Sequence, residues 1–176
     1  MIETARLVLR EPDARDLDAL RAYHARNAER FARWDPVPGD DPDVHASWIA
    51  ARRFEGGREK PTSFLAFARG SDAVVALVSL TSFNAHPPSA SLSYSVDGAL
   101  EGRGYAFEAV GGVVTYAFDA LGLASVNAQY DPANERSARL LQRLGFRIVG
   151  ITPVVPGMER FMRTLVETVR ERSTEA

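Results

Sequence analysis

From Ser91 the chain alternates small polar with apolar residues, Ser91-Leu92-Ser93-Tyr94-Ser95-Val96, and then passes through Glu101-Gly102-Arg103-Gly104-Tyr105-Ala106 into a long apolar stripe. The alternation has the period of a strand with one face buried. The stripe of Ala106, Ala109, Val110, Val113, Val114, Ala117 and Leu121 has the spacing of a helix with one face buried. A strand that turns on glycines into a helix aims unpaired backbone N–H groups, and the positive end of the helix dipole, at whatever lies before the turn. Such a junction favours an anion, and phosphates above all.

Two familiar phosphate loops do not fit. A dinucleotide fold requires a third glycine where Phe107 stands, because helix and strand pack closely there. A nucleoside-triphosphate loop requires Gly-Lys-Ser/Thr at the head of the helix, and the sequence has none.

A second cluster follows a short apolar strand at 124–130, namely Asn134-Glu135-Arg136-Ser137-Ala138-Arg139-Leu140-Leu141-Gln142-Arg143-Leu144-Gly145-Phe146. Asn134 reads as an N-cap, Ala138, Leu141 and Leu144 as the buried stripe, and Gly145 as a left-handed stop.

Together these segments resemble the GNAT superfamily of acyl-CoA N-acyltransferases. Gly104 and Ala106 match the last two positions of that family's Gln/Arg-x-x-Gly-x-Gly/Ala turn, while Glu101 departs from its first and sets a carboxylate near the expected diphosphate. The spacing of Asn134 and Ser137 matches the segment that faces pantetheine and sulfur in the family. Thr4 to Glu11 with Asp13, Asp16 and Leu17, then Phe31 to Val37, Trp48, Ser63-Phe64 and Ser82-Phe83-Asn84, are similar to the RimJ/RimL-type N-terminal acetyltransferases of ribosomal proteins, nearest the alanine-directed RimJ branch. The likeness spans about residues 4–152 and fades where Ile151 to Arg160 replaces a longer loop.

The order of elements reads as an α/β fold of one domain over 1–176, a central mixed twisted sheet with helices on both faces; the resemblance implies a splayed strand pair, and polar composition reads 170–176 as a flexible tail. The pattern places strands at 5–11, 62–69, 73–83, 89–97, 124–130, 146–152 and 159–168, and helices within 13–33, 43–56, 106–121 and 134–144. Gly111 and Gly112 inside a helix each cost about 1 kcal/mol relative to alanine, so a close approach by the sheet is expected there.

The implied chemistry is transfer of acetyl from acetyl-CoA to a primary amine by direct attack in a ternary complex, since neither cysteine nor a Gly-x-Ser-x-Gly elbow offers a nucleophile. By resemblance the cofactor contacts are Tyr94, Ser95, Val96, Gly102, Arg103, Gly104, Tyr105, Ala106, Asn134 and Ser137. Ser137 is the expected proton donor to the departing thiolate, with Tyr130 and Glu159 as candidates for handling the amine's proton. An α-amine with pKa about 7.7 to 8.0 loses its proton at neutral pH for roughly 1 kcal/mol, against nearly 4.6 for a lysine at about 10.4, so a weak or water-relayed base suffices for an N-terminus.

Expected acceptors are therefore a peptide or protein N-terminus, such as that of a ribosomal protein. A small amine (antibiotic, amino sugar or polyamine) and a non-catalytic acyl-CoA-binding module are the alternatives. His24, His45 and His86 are scattered without carboxylates at metal spacing, so no metal is expected and each reads as an ordinary polar side chain. A net charge of −2 without a basic run argues against nucleic-acid or membrane partners. With no cysteine, no apolar signal core and no membrane-length apolar run, a cytoplasmic monomer or homodimer is expected.

Overall fold

The alternation at 91–96 puts hydroxyls on one face of a strand and apolar groups on the other, with Leu92 buried, Ser93 exposed and the rest half-buried. The computed structural model describes residues 1–34, 41–52, 62–154 and 164–173. The strands are β1 (Ile2–Glu3), β2 (Leu7–Arg10), β3 (Thr62–Ala68), β4 (Val74–Ala85), β5 (Pro88–Val96), β6 (Ser125–Tyr130), β7 (Arg147–Thr152) and β8 (Leu165–Glu171). The helices are α1 (Leu17–Phe31), α2 (Pro42–Arg52), α3 (Tyr105–Asp119) and α4 (Glu135–Arg143). The strands form one sheet in the order β1-β2-β3-β4-β5-β6-β8-β7. Within it β5 and β6 run parallel, and the other pairs are antiparallel.

Successive residues of β3 show why both faces need helices. Phe64 and Ala66 pack with Val110, Val113 and Ala117 of α3 and Leu141 of α4, while Leu65 and Phe67 pack with Leu20 and Tyr23 of α1 and Ile49 of α2. A strand buried on both sides carries apolar groups at consecutive positions. Each helix contributes one stripe. In α1 it is Leu20, Tyr23, His24 and Asn27, a helical spacing that carries two polar residues into the interior.

The N-terminus of α1 is prepared by a 3₁₀ turn, Ala14–Asp16, whose Asp13 cap accepts from the Arg15 amide while the Asp16 carboxylate accepts from the Asp13 amide at 2.8 Å. Arg10 of β2 grips the same Asp16 with two N–H groups at 2.5 and 2.6 Å, which fixes the helix start against the sheet.

Three expectations are corrected. The last strand lies at Leu165–Glu171 rather than 159–168, and the expected tail begins too early, because Arg170 pairs with Val126 and Glu171 with Ser125. β8 is inserted between β6 and β7, so ladder bonds on both edges hold polar residues in a strand that composition alone reads as frayed. The two-residue β1, paired through Ile2–Leu9 and Glu3–Val8, is too short to show in the pattern.

Gly112 has its close approach, although the neighbour is the sheet's edge rather than its centre. A Cβ there would lie 3.1 Å from Thr4 Cγ2 and 3.4 Å from Ile2 Cγ2, whereas one at Gly111 would make an ordinary 3.5 Å contact with Leu144 Cδ2.

Candidate active site

β5 and β6 pair from Ser89–Ser125 to Leu92–Ala128 and no further. Beyond that point β5 stays with β4, through Tyr94–Val78 and Val96–Ala76, and β6 stays with β8, through Tyr130–Val166. The parallel pair thus splays apart at its carboxyl ends, where α3 and α4 begin, and a cleft of about 1860 Å³ fills the opening. Ligands in open α/β sheets favour such a position, outside the carboxyl ends of strands.

The turn before α3 is shaped by glycine. Gly102 and Gly104 have φ of +72° and +81°, and Gly104 is the N-cap of α3 without any side-chain cap. The first-turn amides of the helix therefore have no intrahelical acceptor. A Cβ at Gly102 would meet nothing within 4 Å, so that glycine is required by backbone conformation rather than by crowding.

The turn is held from behind by Glu108, which the sequence did not single out, and by Thr4 and Arg6, which it read only as part of the first strand. Glu108, in the first turn of α3, accepts from Thr4 Oγ1, the Arg6 amide and Arg6 Nε, each at 2.6 Å. Burial opposes the charge on Glu108, but these bonds from Thr4 and Arg6 keep its carboxyl below the usual range. Arg6 also donates from Nη1 to the Arg103 carbonyl at 2.9 Å and lies 4.5 Å over the Tyr105 ring. Gly102, Gly104, Tyr105 and Ala106 line the cleft, and Arg103 is outside the lining with its carbonyl in the grip of Arg6.

Glu101, which the sequence placed awkwardly near an anion, faces two cations. Its carboxylate accepts from Nη1 of Arg30 on α1 and from Nη1 of Arg136 on α4. Two guanidinium groups on one carboxylate leave the corner net positive, so Glu101 does not oppose an anion there. Arg30 donates as well to the Val96 carbonyl, at the end of β5.

Across the splay, Tyr94 Oη and Ser137 Oγ lie 2.7 Å apart, joining β5 to α4. Burial pushes the Tyr94 phenol up to about 12, although its bond with Ser137 acts in the other direction, so the phenol keeps its proton. Asn134 Oδ1 accepts from the Ser137 amide at 3.1 Å, as the cap reading required. On the opposite face, Ser95 Oγ lies 2.8 Å from Tyr23 Oη, a hydroxyl whose pKa burial raises.

The cleft therefore gathers Tyr94, Ser95, Val96, Gly102, Gly104, Tyr105, Ala106, Tyr130, Asn134 and Ser137, all singled out from sequence. Glu159 lies outside the described residues. Tyr130 stands at the end of β6, packed partly against the main core.

Under α1 and α2 the wall carries Ser79, Thr81, Ser91 and Ser93, with His24, Trp34 and Trp48 above them. The reading of His24 and His45 as scattered is corrected, since their rings meet. Twenty-one residues separate them, and only the packing of α1 on α2 brings them together. The helical spacing of His24 with Leu20, Tyr23 and Asn27 was the one available signal that it faces inward.

Splayed parallel strands with two helix N-termini opening on one cleft define a mixed α/β fold whose cleft suits an anionic group. Residues 6–147 match the acetyltransferase (GNAT) domain, and the chain belongs to that family. It is 28% identical over 153 residues to the ribosomal protein uS5-alanine N-acetyltransferase of Escherichia coli K12, covering 85% of this chain and 79% of that protein. The solved ribosomal-protein-S5-alanine acetyltransferase of Vibrio fischeri shares the fold with a TM-score of 0.80 at 20% identity, over 96% of this chain and 94% of that one. RimJ of Mycobacterium smegmatis, solved in complex with CoA-disulfide, does so with a TM-score of 0.77 at 22% identity, over 94% and 81% of the two chains.

Proposed function

We propose that this protein transfers the acetyl group of acetyl-CoA to the α-amine of a peptide or protein N-terminus, as in a ribosomal protein. The observation that carries the cofactor half is the uncapped, glycine-shaped start of α3 at the mouth of the splay, with a cradle formed by Gly102, Gly104, Tyr105 and Ala106. These residues fit a diphosphate, since they offer backbone N–H groups and a helix dipole without a competing side chain. Backbone groups of β5 around Ser95 and Val96, together with the amide nitrogen of Asn134 that capping leaves unused, suit the pantetheine arm.

Acetyl-CoA supplies an activated acetyl thioester. The residues of the chain hold that thioester in line with the amine, which accounts for much of such a rate enhancement. The Tyr94–Ser137 pair has two hydroxyl protons and needs one for its mutual bond, so the other is free to go to the departing sulfur. Tyr130, at the cleft end of β6, is placed to relay the amine's proton to water.

The acceptor half rests on the relative named for N-acetylation of an alanine of ribosomal protein uS5; the wall under α1 offers hydroxyls, while Asp131, Glu135 and Glu167 line the cleft from the side of β6, α4 and β8. The test is thiol release from acetyl-CoA with peptides beginning in Ala, Ser or Thr, beside spermidine and an aminoglycoside. Turnover with peptides is expected, and turnover confined to the small amines would overturn this acceptor.

A further inference from the structure

His24 and His45 form a buried pair that the chemistry above does not use. His24 Nδ1 lies 2.9 Å from His45 Nε2, and His45 Nδ1 lies 2.9 Å from the Asp41 carbonyl oxygen. A carbonyl only accepts, so His45 carries its proton on Nδ1 and, when neutral, presents a bare Nε2. His24 must then donate from Nδ1, and neutral His24 is left with a bare Nε2. Among the described residues nothing donates to that atom, and Arg30 Nε is the one buried side-chain nitrogen or oxygen among them without a partner. His24 Nε2 is therefore reached from the cleft that His24, 7% exposed, lines, while His45 at 1% exposed stands behind it. An acceptor atom that solvent reaches from the cleft is open to a donor carried by a ligand.

We propose that His24 is an acceptor-binding residue whose bare Nε2 takes a hydrogen bond from the N–H of the incoming amine, with its tautomer set by His45 and the Asp41 carbonyl. The proposal rests on the acetyl-transfer reading above and deepens it, because it identifies the atom that recognises the amine. Burial, and then the field of His45, pushes His24 down to about 4, so the ring is neutral at physiological pH. A neutral ring with so little proton affinity does not take the amine's proton. Instead it holds the nitrogen by its N–H and leaves the lone pair free for attack. Tyr23, whose ring lies 5.6 Å from that of His24, packs the pair from the side of β5 and ties this wall to Ser95.

The full-length protein with side-chain ¹⁵N-labelled histidine gives a readout independent of turnover. At pH 7 both rings are expected to be protonated on Nδ1, and the His24 Nε2 resonance should move when an Ala-initiated peptide is added in the presence of CoA. A proton resident on His24 Nε2, or a resonance that the peptide leaves unmoved, would overturn the proposal. In thiol-release kinetics His24→Phe should raise the peptide KM by about tenfold, the worth of one hydrogen bond to a partly buried group, and His24→Gln should recover part of it through its amide oxygen. CoA affinity by calorimetry should stay within about twofold, since His24 is not among the cofactor contacts. An unchanged peptide KM in a folded, CoA-binding His24→Phe would also sink the idea. Wild-type protein that turns over no amine at all would instead defeat the acetyl-transfer reading, and the two resonance criteria would still decide the pair.

Discussion

Single residues decide whether the proposed cofactor cradle exists. Gly104 sits at φ +81°, where a side chain costs about 1–2 kcal/mol, and a Cβ there would already lie 3.4 Å from Arg6 Nη2. Gly104→Val should therefore lower CoA affinity by at least about tenfold in calorimetry, and Gly104→Ala by less, because strain is common to both while bulk before the amides is not. An unchanged dissociation constant for the valine variant would contradict the anion site. Tyr94 and Ser137 act as one unit through their 2.7 Å bond. Tyr94→Phe and Ser137→Ala should each reduce kcat by about 10–100-fold, and the double variant by little more than either, as expected of residues that share a function. Fully additive losses in thiol-release kinetics would separate their roles. Gly104 was legible because only glycine suits that turn. The Tyr94–Ser137 bond was not, since it joins residues 43 positions apart whose hydroxyls meet only after β5 and β6 diverge.

Among the elements, α3 shows how far periodicity reads. Its stripe of Ala109, Val110, Val113, Val114 and Ala117 is buried as the spacing requires. The spacing does not distinguish its two interior glycines, because their need for smallness depends on what packs against them. Gly111→Ala introduces an ordinary contact with Leu144 and recovers helix propensity, so it should stabilise by about 0.5–1 kcal/mol, a Tm rise of roughly 1–4 °C. Gly112→Ala gains the same propensity but presses on Thr4 Cγ2 at 3.1 Å, next to the Thr4–Glu108 bond that steadies the glycine turn. Its Tm should fall below that of Gly111→Ala by calorimetric melting, and equal melting temperatures would show that β1 yields without strain. β8 is the counter-example, where partners on both edges rather than composition set the limits of the strand.

For the whole molecule, packing α1 against α2 holds a histidine neutral, and that couples stability to pH. His24 titrates near 6.5 when unfolded and is pushed down to about 4 in the fold, by burial first and by His45 second. Between those values the unfolded chain binds more protons, so this contribution is complete above about pH 6.5 and is lost as pH falls toward 4. Melting temperature should decline across that window, and His24→Asn should flatten the decline; an identical slope in both proteins would refute the coupling. The sequence by itself determined the helices, most strands, the glycine turn and the Asn134 cap, because these depend on local conformation and on periods of two and 3.6 residues. It also determined the family, through spacings confined to single segments. Only the tertiary structure decided that Arg30 and Arg136 neutralise Glu101, that Arg6 and Glu108 brace the turn, and that His24 meets His45. Each of those contacts joins distant parts of the chain, and a directional bond between them depends on the angle at which elements cross, which no local pattern encodes.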